Sequence, residues 1–305
     1  MTTSALDRPV KVPTFQGVSG RRKFTNNLAT VLVTLSVLVA VIPLVWVLVT
    51  VLVKGFGAVT SSTWWFNSQA GMTAFAAGGG AYHAIIGTLL QGLVCALISI
   101  PIGVFVGIYL VEYGGGTRLG KITTFMVDIL TGVPSIVAAL FIYALWVATL
   151  GFERSGFAVS LALVLLMIPV IVRSTEEMLR IVPMDLREAS YALGVPKWKT
   201  ISAIVIPTAL SGIVTGIMLA LARVMGETAP LLILVGYAQA MNFDIFGGFM
   251  GSLPGMMYDQ VSAGAGANPV PTDRLWGAAF TLIVLIALLN IGARFLAKFF
   301  APKKV

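Results

Sequence analysis

Long apolar runs alternate with short polar breaks along this chain, and that alternation gives the first outline of its architecture. Runs near Leu28–Val53, Ala84–Val111, Ile122–Leu150, Phe157–Val172, Ile204–Gly236 and Trp276–Phe299 approach or exceed the roughly 18–20 apolar residues that a helix needs to cross a bilayer. They predict an all-α polytopic membrane protein with six transmembrane helices. The first run is too long for the apolar centre of a signal peptide and lacks a convincing cleavage site, so it is expected to stay as an anchor.

Two of the runs carry their own interruptions. Ile204–Gly236 as one straight helix would measure on the order of 50 Å, against a hydrocarbon core of about 30 Å. It contains "RVMGETAP" (Arg223–Pro230), where Gly226 and Pro230 are natural helix breaks. In the third run, "TGVPSIVAAL" offers Gly132 and Pro134 for the same purpose. Irregular backbone at membrane depth is tolerated only where protein or a water-filled cavity covers it. Beyond the fifth run, residues 238–275 are too apolar and methionine-rich for an ordinary loop, which points to a re-entrant or partner-facing segment. In the segment Gly55–Tyr82, Trp64 and Trp65 are expected in an interfacial aromatic belt.

Between the fourth and fifth runs lies "REASYALGVPKWKT" (Arg187–Thr200), charged and rich in small residues. Pro183 ends what precedes it, and Asp185 is the expected N-cap of a helix over Leu186–Leu193. Gly194 suits the left-handed position after that helix, and Pro196 begins a second one. Ala189, Ser190, Ala192 and Gly194 would let another backbone approach closely. The expected organisation is a basic N-terminal arm (1–27), a six-span body (28–299) holding the loop 183–200 and the external segment 238–275, and a tail (300–305).

Composition agrees with a membrane location: 58% of the 305 residues are hydrophobic and only 10% are charged, where a soluble chain carries about a quarter. The net charge of +8 could signal nucleic acid, but its distribution argues against that. Basic residues cluster before the first run (Arg8, Lys11, Arg21, Arg22, Lys23), after the second (Arg118, Lys121), after the fourth (Arg173 to Lys199) and at the end (Arg294 to Lys304). The opposite loops hold only Lys54, Arg154 and Arg274. The positive-inside rule then makes both termini cytoplasmic. Cys95 is the sole cysteine, which leaves no disulfide within the chain and no thiolate metal site, and the lone His83 reads as a satisfied or interfacial side chain. Gly115–Lys121 nearly spells a phosphate-binding loop, yet Ile122 follows where a Mg²⁺-binding hydroxyl is required, so nucleotide binding is not expected there.

Glu188-Ala189-Ser190, three residues, Gly194, nine residues and Ile204-Val205-Ile206-Pro207 resemble the EAA loop of ABC-importer permeases, E-A-A, three residues, G, nine residues, I-x-L-P. Ser190 and Ile206 are mild departures. "GVPSIVAAL" (Gly132–Leu140) and "RVMGETAPLL" (Arg223–Leu232) are similar to segments of phosphate-importer permeases of the PstA type, with Ala139 where relatives often carry glycine. The resemblance implies a type I ABC-importer permease fold in the bacterial inner membrane. It implies as partners a second permease subunit of the PstC type, two copies of an ATP-binding subunit of the PstB type, and an external phosphate-binding protein of the PstS type. It also makes Glu188, Ala189, Ser190, Leu193 and Gly194 the face that couples to the ATPase subunit. ATP and Mg²⁺ then belong to that partner; the chain itself is expected to bind no metal or cofactor and to be no enzyme.

Three ionisable residues lie in apolar runs: Asp128, Arg223 and Glu227. Such groups usually pair, face an interior or do work. Asp128 reads as a capping or pairing group. Arg223 and Glu227, four apart, form a stapled pair if the helix persists. In the other reading Arg223 meets the anion with its fork of donors, Glu227 competes for it as the ion leaves, Thr228 adds a hydroxyl, and helix-end N–H groups at the break assist. Rival functions are an ABC permease for phosphonate or sulfate, and a self-sufficient ion-coupled transporter, which leaves the EAA pattern unexplained.

Overall fold

The structure, a computed structural model, describes residues 19–300, with side chains through Phe295. Arg8, Lys11, Lys303 and Lys304, most of the expected N-terminal arm and the tail beyond 300 lie outside the described residues. Within them the regular structure is helical. The order is α1 (Gly20–Val59), α2 (Ser62–Phe66), α3 (Tyr82–Ile108), α4 (Arg118–Thr131), α5 (Ser135–Ile142), α6 (Gly156–Ile181), α7 (Met184–Ala192), α8 (Lys197–Thr200), α9 (Ile206–Met225), α10 (Ala229–Leu234), α11 (Leu253–Ser262) and α12 (Pro269–Phe300). Short π-helical turns extend α3 to Tyr113 and α5 to Thr149, and another joins α8 to α9 across Ile201–Val205, just before Pro207.

The chain divides into two compact units, Met1–Thr50 and Val51–Val305. The described part of the first is the larger part of α1, its apolar side chains exposed as on a lipid-facing helix. The helix begins at Gly20, eight residues before the expected start of the first run: residues 20–27 hold no glycine or proline after the first, and the helix runs through Arg21, Arg22 and Lys23.

Among the described residues, five helical stretches are long and apolar enough to cross a membrane: Gly20–Val59, Tyr82–Tyr113, Gly156–Ile181, Lys197–Met225 and Pro269–Phe295. A sixth span results if α4 and α5 count together, but they meet at 106°. The run over Ile122–Leu150 is thus a broken span or a re-entrant pair, with its interruption at the expected Gly132 and Pro134. The Gly132 and Val133 N–H groups close onto Ile129 and Leu130, and Pro134 then stands as the N-cap of α5, unable to donate back into α4.

α6 is the centre of the larger unit, with its Val159, Ala162, Met167 and Ile171 fully buried. Two glycine pairs at four-residue spacing bring its neighbours close. A Cβ at Gly103 or Gly107 of α3 would fall 2.7 or 2.8 Å from Ile171 or Thr175, and one at Gly212 or Gly216 of α9 would fall 2.2 Å from Met178 or Ser174. Small residues at four-residue spacing let membrane helices pack backbone to backbone. Gly216→Leu is expected to force α9 off α6, at a cost on the order of 1–3 kcal/mol or more. A lowered thermal midpoint of the detergent-solubilised protein is the expected reading.

The segment after α10 is less separate than its composition implied. Leu253 and Met256 of α11 are fully buried in a cluster with Trp64, Ala81, Ala84 and Ala278, so part of its apolar content is intramolecular core. Trp64 is corrected for the same reason: it is buried and donates its indole N–H to Thr281 Oγ1 at 2.9 Å instead of lying in an interfacial belt. A Cβ on Gly277 would meet that ring at 2.7 Å.

Candidate functional site

α7 stands between two spans, α6 and Lys197–Met225, and α8 opens the second of them, running through Ile201–Val205 into α9. Pro183 is the N-cap of α7 and Asp185 lies in its first turn, one correction to the expected cap. Proline has no N–H to lose at a helix start, and the acidic side chain there favours the dipole. Gly194 follows with φ +75, the left-handed conformation expected of it. The outer surface is apolar and open: Met184, Leu193 and Trp198 are 63%, 84% and 66% exposed, and Glu188, Ala189 and Ala192 share that exposure.

The inner surface is fastened to the body. Arg187 and Glu112 are 8% and 9% exposed and form an ion pair, and the second Arg187 nitrogen donates to the Leu179 carbonyl at 2.9 Å. Lys197 donates to the Glu112 carbonyl and stands 4.6 Å over the Tyr113 ring. Ser190 is buried and shares a hydrogen bond of 2.8 Å with Thr200. Ser190 is therefore an inward residue, a correction to its expected place on the small-residue approach surface. Its hydroxyl needs the partner that α8 supplies.

Sequence reasoning missed Arg187 and Glu112 as a pair, having counted Arg187 only among charges that set topology. The signal was a lone carboxylate closing an apolar run, in "YLVEY". Asp128 does pair: it meets Arg173, which also bonds Glu176 at 2.8 Å, and Glu176 takes Arg180 at 2.6 Å. This chain of four charges bridges α4 and α6. Near it, Thr117 accepts from the Gly120 N–H at 3.0 Å and caps α4, so the glycines of the near-miss phosphate loop shape a turn between helices.

At the other interruption, α9 ends at Met225, Gly226 caps it, and Pro230 lies in the first turn of the six-residue α10. The helix does not persist to Glu227. Among the described residues neither the Arg223 nor the Glu227 side chain has an ion-pair or hydrogen-bond partner. Arg223 is exposed in the last turn of α9, while Glu227 and Thr228 are half-buried in the break. At the start of α3, far from Glu112, the buried His83 shares a 2.8 Å hydrogen bond with the Tyr237 hydroxyl. Burial pushes that phenol, and the Asp259 carboxyl near it, above their ordinary values.

The profile of the family described as binding-protein-dependent transport system inner membrane component matches residues 99–305, which contain α7, the α4–α5 bend and the α9–α10 break. The chain belongs to this family. A protein of Mycobacterium leprae named phosphate transport system permease protein PstA is 53% identical over 307 residues, covering 100% of this chain and 98% of its own. The Mycobacterium tuberculosis protein named phosphate transport system permease protein PstA 1 is 54% identical over 295 residues, 96% of this chain and 94% of its own. A Pasteurella multocida PstA is 38% identical over 285 residues, 93% and 96% of the two chains. Among solved structures of transport systems, the inward-facing MetNI methionine ABC transporter matches with TM-score 0.56 at 19% identity, over 73% of this chain and 94% of that one. A bacterial ABC transporter that imports alginate matches with TM-score 0.54 at 12% identity, over 71% and 78%. At such identities the likeness is one of fold, that of type I ABC-importer permeases.

Proposed function

We propose that this chain is the permease subunit of an ATP-driven importer that carries inorganic phosphate from outside into the cytoplasm. The observation that carries the mechanism is the two-sided build of α7. Its outer face offers open apolar side chains and Glu188, while its inner face is fixed to α3 and α8 through Glu112–Arg187 and Ser190–Thr200. Such an element fits a groove on a soluble motor and passes a displacement into the membrane helices. The cargo rests on the identity, over nearly full length, to relatives named phosphate transport permeases.

The positive-inside bias supports cytoplasmic termini and an inner-membrane location, with α7 on the cytoplasmic side. ATP and Mg²⁺ belong to two copies of a PstB-type subunit that bind α7 and its counterpart on a PstC-type permease subunit. Their closure rocks the two permeases, and the pore between them alternates its opening. A PstS-type protein delivers phosphate from outside. Arg223, Glu227 and Thr228 line the ion's path at the α9–α10 break, and the chain itself catalyses no covalent step.

The fold alone does not choose the cargo, because the structural neighbours import methionine and alginate. Uptake of labelled phosphate at low external concentration, in cells dependent on this chain and its partners, decides it. Uptake that resists excess sulfate and phosphonate is the expected result. Displacement by either competitor would reassign the cargo.

A further inference from the structure

The α9–α10 break faces a polar group that nothing satisfies. Gln91, in the third turn of α3, is 2% exposed, and its amide nitrogen has no hydrogen-bond partner among the described residues. A buried, unpaired amide in a membrane helix is costly, so its presence calls for a ligand or water that it serves. Gln91 lines a cavity of about 10 Å³ together with Thr88, Glu227 and Ser252, room for about one water. Thr88 Oγ1 is committed: it donates to the Ala84 carbonyl and accepts from the Leu253 N–H, both at 2.8 Å. Ser252 Oγ accepts from the Gly255 N–H at 3.2 Å as the N-cap of α11. Gln91, whose amide nitrogen is an open donor, and Glu227, whose carboxylate has no partner among the described residues, line one cavity beside the Ser252 hydroxyl, whose own proton is uncommitted. The start of α11, whose dipole favours negative charge, closes a further side.

We propose that Gln91 is a binding residue of the anion path, donating its amide N–H to an oxygen of the oxyanion as it passes the break. The inference rests on the reading of Arg223, Glu227 and Thr228 as that path. An amide nitrogen only donates and an ionised carboxylate only accepts. The pair therefore suits a tetrahedral oxyanion that bears both an O⁻ and an O–H, as phosphate does near neutral pH. At its present volume the cavity cannot admit the ion, so α3 and the break must part when it passes.

Gln91→Met in the intact transporter tests this, because methionine keeps the length and removes the donor. Relief of an unmet polar group leaves thermal stability equal or higher. The proposal expects that stability together with a fall of roughly tenfold or more in the maximal rate of labelled-phosphate uptake, the worth of one hydrogen bond to a charged ligand. Gln91→Glu, equal in size but without a donor, is expected to fall further. Wild-type uptake in either variant overturns the proposal, and so does a loss of uptake that merely follows a loss of folded protein. Glu227→Gln, assayed beside them, separates the two layers. A defect there with normal Gln91 variants overturns this inference alone, whereas normal uptake in all of them overturns the anion-path reading itself.

Discussion

Arg223→Lys is expected to lower phosphate uptake by ~10–100-fold with the protein at its normal level in the membrane, the loss that follows if charge-assisted bonds to an anion are broken. Charge is kept, so the effect isolates geometry: a guanidinium presents a planar fork to two oxygens, and an ammonium is a point charge. Arg223 is suited to that task because its side chain has no partner among the described residues and stands exposed at the end of α9. The alternative, a staple to Glu227, needs both residues on one helix, and α9 stops at Met225. Initial rates of labelled uptake, normalised to membrane protein, read the effect directly. A near-normal rate removes the bidentate role.

Arg187→Met has the second large effect, on the joint between α7 and α3. It leaves the buried Glu112 carboxylate without its cation, at a cost of about 3–5 kcal/mol. The thermal midpoint of the purified complex is expected to fall, and uptake per ATP hydrolysed to fall with it as α7 loosens from α3. The double variant Glu112→Gln with Arg187→Met removes both charges and is expected to regain much of the stability, since a buried pair can often be replaced at little net cost. A single variant as stable as the wild type would mean that the pair does not hold the element.

The membrane class, the interruptions and the short helices α7 and α8 were legible because each has a local signal. Apolar length predicts a span, Gly132–Pro134 and Gly226–Pro230 predict a break, and Gly194 predicts a left-handed turn, as its φ of +75 shows. The angle of a break is not local. Nothing in "TGVPS" dictates the 106° at which α4 meets α5, which depends on how both pack against α6. Burial was misread wherever a residue type has two common fates. Trp64 has the chemistry of an interfacial residue but finds Thr281, more than two hundred positions away. Ser190 belongs to a small-residue pattern but turns inward to Thr200. Arg187 and Gln91 were hidden for a related reason: what matters about each is which group a different helix brings opposite it.

The most direct test of the account is Glu188→Lys in the transporter reconstituted with its ATP-binding subunits and the external phosphate-binding protein. Glu188 is exposed on α7 and makes no ion pair among the described residues, so the change reverses charge on the proposed docking face while leaving the described ion pairs intact. Phosphate uptake and ATP hydrolysis are measured together. Uptake is expected at background, with hydrolysis that no longer responds to the loaded binding protein while all subunits are present. ATP-dependent uptake at the wild-type rate would contradict the account, because the motor would then be driving transport through some surface other than α7.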